Sequence, residues 1–107
     1  MFVSIKGSPH ARLRRALLTG NMAVIEGAAA ELPALDLADA LRVLIVMGKV
    51  RDPRYERAAA RWAARAASER RLSLADSRRV LALVEALPES PDAVGEALAR
   101  LCSTAGG

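Results

Sequence analysis

A chain of 107 residues is long enough for a single modest core, and with 52% apolar residues it is too hydrophobic to be read as disordered. Ala, Leu and Val supply most of that content, while Phe2, Tyr55 and Trp62 are its three aromatics, so an all-α domain spanning 1–107 is expected. The net charge of +4 is local: from Arg51 to Arg79 there are nine basic residues against four acids, a net of +5, and the rest of the chain sums to −1.

In chain order, Ser8-Pro9 sets a capping hydroxyl before a proline at the first helical position, and Gly20 closes that helix. Asn21 caps a second helix, which Pro33 stops near Leu32. Asp36, with Asp39 three residues on, resembles a capping box and opens a third helix to about Val50. Asp52-Pro53 opens a fourth, running to about Arg70. Ser73 with Asp76 opens a fifth, ended by Pro88, and Ser90-Pro91 opens a sixth that reaches about Cys102. The ends, 1–7 and 103–107, read as frayed tails.

The third helix is apolar nearly all round, with Asp39, Arg42 and Lys49 as its charges, which places it at the centre of the packing. Its opening, LDLADALRVL from Leu35, is echoed 37 residues later by LSLADSRRVL from Leu72. Each copy leads a helix followed by an Asp-Pro or Ser-Pro pair and another helix. The repeating unit is thus a helical hairpin, and three such hairpins either stack as α-helical repeats or close into a bundle. RDPRYERAAARWAARA, Arg51 to Ala66, resembles the second helix of a HEAT-type repeat in Asp52, Pro53, Tyr55, Arg57, Ala58 and Ala59. It departs from that pattern at Glu56, where the family often has arginine. The resemblance implies a scaffold that binds macromolecules and carries over no catalytic residue. Leu41, Leu44, Ile45, Trp62, Val80, Leu81, Val84 and Leu98 are the expected core.

Chemistry is sparse. His10 is the one histidine and Cys102 the one cysteine, which rules out an internal disulfide and a zinc site of the usual kind. His10 reads as a surface residue, Cys102 as a small core residue, and the acids Glu26, Glu31, Asp36 and Asp39 as caps and first-turn or surface charges. The seven glycines form no phosphate-binding loop. Enzymatic activity, a cofactor and a resident metal are therefore not expected. No apolar run approaches the roughly 20 residues that span a bilayer, and MFVSIKGS lacks a secretory pattern, so a cytoplasmic location with no membrane partner is expected.

The feature that stands out is basic. Arg54, Arg57, Arg61 and Arg65 fall within roughly 80° on one side of the fourth helix. Arg70, Arg71, Arg78 and Arg79 extend that stripe into the fifth. Tyr55 and Trp62 on the adjoining side read as core anchors. Arginine forks suit carboxylates and phosphates alike, so this surface is expected to meet an acidic protein partner or another copy of the chain, a homodimer. Nucleic acid is the alternative partner: ARAASERRLSLADSRRVL resembles a helix-turn-helix whose second helix, capped by Ser73, would present Arg78 and Arg79. It departs from that pattern at Arg71, where glycine is usual, and at Ser77, where an apolar residue is. The Ala and Arg enrichment is equally what a GC-rich genome produces.

Overall fold

The computed structural model describes residues 8–104. They form six α-helices and no strand: α1 Pro9–Thr19, α2 Met22–Ala29, α3 Leu37–Lys49, α4 Tyr55–Glu69, α5 Leu74–Ala86 and α6 Pro91–Thr104, with a single 3-10 turn, Leu87–Glu89, between α5 and α6. Three of the expected side-chain caps are in place, at Ser8, Asn21 and Ser73, whereas α4 starts with no side-chain cap. The Ser8 hydroxyl accepts from Ala11 N at 3.1 Å, the Asn21 amide oxygen from Ala23 N at 2.9 Å, and the Ser73 hydroxyl from Asp76 N at 3.0 Å. Gly20 ends α1 in the left-handed region at φ 66°. α2 stops at Ala29, earlier than Pro33 required, in a run of turns through Leu32. α6 continues through Ser103 and Thr104; the rest of the expected tails, 1–7 and 105–107, lies outside the described residues.

The described residues pack as two units, one up to Asp36 and one from Leu37 onward. In the first, α1 and α2 pair, with Leu13, Ala16 and Ile25 buried and the Arg12 guanidinium bound to the Glu31 carboxylate. In the second, α3 packs on α4, α4 on α5, α5 on α6 and α6 back on α3, which closes a ring. Hairpins stacked as repeats would instead set α3 against α5 and α4 against α6. The second unit is therefore a four-helix bundle.

Two polar latches cross that bundle. Trp62 Nε1 donates to the Leu37 carbonyl at 3.0 Å, tying the middle of α4 to the start of α3, and Tyr55 Oη donates to the Val84 carbonyl at 2.7 Å, tying the start of α4 to the end of α5. Two glycines inside helices permit close approach. A Cβ at Gly48 would collide with the Leu87 side chain, and one at Gly95 would sit 2.5 Å from Ile45 Cδ1. Lys49 also pairs with Asp92 at 2.8 Å, joining the end of α3 to the start of α6.

The echoed decamers are not equivalent. Leu44 is 2% exposed, whereas Leu81, its counterpart and an expected core residue, is 53% exposed. Leu37 is buried and its counterpart Leu74 is 68% exposed. The inward stripe of α3 runs Leu37, Leu41, Leu44 and Gly48, but that of α5 runs Val80 and Val84 and continues to Leu87 in the 3-10 turn. In aligned numbering the two stripes differ by one residue, a rotation of about 100°. What the two copies share is their opening chemistry: Arg42 binds Asp39 at 2.6 Å and Arg79 faces Asp76 at 3.4 Å. Asp39 is a first-turn charge of α3 as expected, but it is buried rather than on the surface. Ile45 is half-buried, and the other expected core residues are buried.

Candidate interaction surface

The eight arginines singled out by the sequence divide into engaged and unengaged groups. Arg54 is engaged: its backbone N–H donates to Asp52 Oδ1 at 2.8 Å and its guanidinium reaches Asp52 Oδ2 at 2.7 Å. These bonds, the side-chain one first, hold the Asp52 carboxyl down at about 2. They also shape the turn into α4, which begins at Tyr55 rather than at Pro53. Arg65 pairs with Glu69 at 2.6 Å one turn along α4, and Arg79 pairs with Asp76. Arg57, Arg61, Arg70, Arg71 and Arg78 are exposed and make no ion pair among the described residues.

The turn between α4 and α5 explains how an arginine replaces the usual glycine. Arg71 lies in the left-handed region at φ 50°, where its N–H reaches the Ser68 carbonyl at 3.3 Å and the Leu72 N–H reaches Ala67 at 3.0 Å. The turn after α3 repeats the same cap, with Arg51 at φ 55° and the Asp52 N–H on Met47 at 3.0 Å. Ser77, the other departure from a helix-turn-helix, is half-buried.

Sequence reasoning missed the apolar side of this surface. Leu74, Arg78, Leu81 and Glu85 lie within about 60° of one another on the outer side of α5. Beside them, between α5 and the start of α4, an open groove of ≈ 510 Å³ is lined by Tyr55, Ala59, Ala60, Leu81, Val84 and Pro88, with Glu56 and Glu85 at its rim. Neither glutamate makes an ion pair among the described residues. The signal available in the sequence was the seven-residue spacing of Leu74 and Leu81. It was masked because Val80, Leu81, Leu83 and Val84 together satisfy more than one inward face.

A second recess, of ≈ 290 Å³, lies between α3, α6 and the end of α4, with Trp62, Arg42, Arg70, Glu96 and Cys102 among its walls. Cys102 is buried, and that burial pushes its thiol above the ordinary value while the Arg70 charge opposes the shift. A thiol held neutral in this way is a poor nucleophile. His10 is exposed on α1. Among the described residues no helix is long and apolar enough to cross a membrane. No family model matches the chain, and no curated protein or solved structure matches it either.

Proposed function

We propose that the chain is a non-enzymatic helical module whose task is to bind protein through the α4–α5 face. The observation that carries this reading is the exposure of Leu74 and Leu81 on one side of α5, beside an apolar groove with an acidic rim. Large aliphatic side chains exposed to water lower the free energy when covered, and apolar surface such as that of Leu81 and the groove beside it suits a contact surface.

A photoreactive residue placed at Leu81 in the producing cell tests the reading. Protein adducts should form there and not from the same group at exposed Ala93 on α6. Adduct-free chain at both positions overturns it.

Nucleic acid is the second reading, favoured by the five arginines that lack an acidic partner. A labelled duplex should then bind with an affinity that falls steeply as salt rises, because phosphate contacts release counterions. Absence of binding at physiological salt removes this reading and leaves the first untouched.

A further inference from the structure

We infer that the partner of the α4–α5 face is a second copy of the chain, packed with α5 antiparallel to α5 about a two-fold axis. The inference rests on the protein-binding reading above and names its partner. Along the outer side of α5 the order is Leu74, Arg78, Leu81, Glu85. Arg78 and Glu85 are seven residues apart, about 10 Å along the helix, too far to pair with each other. Both are exposed, and neither makes an ion pair among the described residues. The midpoint between them falls at Leu81–Ala82. A two-fold axis through that point sets Arg78 of each copy opposite Glu85 of the other, with the two Leu81 side chains meeting at the centre.

The same operation matches the ends of the face. The end near the α4–α5 turn is basic, with Arg71 and Arg78, and the opposite end is acidic, with Glu56 and Glu85 on the groove. Antiparallel pairing lays the basic end of one copy over the acidic end of the other, twice. It also carries Leu74, 68% exposed, towards the Pro88 end of the second copy's α5, where the groove lined by Tyr55, Val84 and Pro88 can take it. An isologous contact requires a surface that complements itself after a half-turn, and this arrangement of charge and apolar side chains does so.

Sedimentation equilibrium over a range of concentrations tests the inference on the full chain. The wild type should show a monomer–dimer equilibrium. Arg78→Glu alone, and Glu85→Arg alone, should each weaken self-association by about ten-fold or more, since each sets like charges against each other at two places. Equimolar mixing of these two variants should restore the dimer, because each then supplies the charge that the other lacks. Both residues are exposed, so circular dichroism should show folded protein throughout. A wild type that stays monomeric at every concentration overturns the inference, and so does a dimer indifferent to both reversals or one that mixing fails to restore. The cross-linking at Leu81 separates this failure from that of the broader reading. Adducts with a different protein from a monomeric chain retire the second copy alone, whereas absence of any adduct retires the binding face.

Discussion

The Tyr55 hydroxyl binds the one carbonyl in its neighbourhood that a proline has left without its helical donor. Val84 O would ordinarily accept from the N–H four residues on, but that residue is Pro88, which has none. Tyr55 fills the vacancy at 2.7 Å from a buried position. Tyr55→Phe keeps the ring and orphans the carbonyl, and a buried unsatisfied acceptor costs about 1–3 kcal/mol. Urea unfolding should show a loss in that range with an unchanged denaturant slope.

Burial of the same phenol sets an alkaline limit. Desolvation raises Tyr55 from 10.0 to about 12 in the folded chain. A folded-state value above the unfolded one means the neutral phenol contributes stability that is complete below pH 10, and this contribution is lost as pH rises towards 12. Tyr55 is the sole tyrosine, so the ultraviolet absorbance of tyrosinate reads this group alone. It should titrate close to 12 in folded protein and near 10 in urea. Coincident titrations would mean that the ring is exposed.

Glycines that look alike in sequence should respond oppositely to alanine. Gly48 lies against Leu87, itself fully buried, so an added methyl has no room, and overpacking typically costs about 1–3 kcal/mol. Better helix propensity returns at most about 1 kcal/mol of that. Gly27, in α2, has nothing within 4 Å of its missing Cβ, so only the propensity gain applies. Gly48→Ala should therefore lower the melting temperature and Gly27→Ala should raise it, each by several degrees as read by circular dichroism.

How much of this was legible beforehand follows from the range of the interactions. Ser8-Pro9, Gly20, Asn21, Ser73 and Ser90-Pro91 marked helix ends because caps involve residues two to four apart, and a local pattern states them fully. Trp62 and Val84 were recognisable as core, since a large apolar side chain on an inward stripe has few alternatives. Leu81 was expected in the core and is exposed. The Arg-Val pair before it is the pair that precedes Leu44, and the difference of about 100° in how the two helices face inward is decided by packing across the ring. The arginines were visible as a stripe, and the helical spacings of Arg65 with Glu69 and of Arg79 with Asp76 are local patterns, but the hold of Asp52 on Arg54 depended on the geometry of the turn into α4. The acidic rim of the groove joins Glu56 to Glu85 across two helices, a proximity that no local pattern encodes.

Arg71 tests whether the turn between α4 and α5 stores strain. At φ 50° an L side chain crowds the following carbonyl, which costs about 1–2 kcal/mol, whereas glycine adopts the conformation freely. Glycine also gains freedom in the unfolded chain, which offsets about 0.4–1 kcal/mol of the relief. Charge must be separated from backbone, because Arg71→Gly also removes a cation from a basic surface. Arg71→Ala removes the same cation and keeps the Cβ, so the difference between the two variants isolates the strain. Arg71→Gly should be the more stable of the pair by about 0.5–1 kcal/mol in urea unfolding. The same ordering should hold at Arg51, where the cap after α3 repeats the geometry. Equal stabilities at both positions would show that these turns carry no conformational strain and that arginine occupies them at no disadvantage.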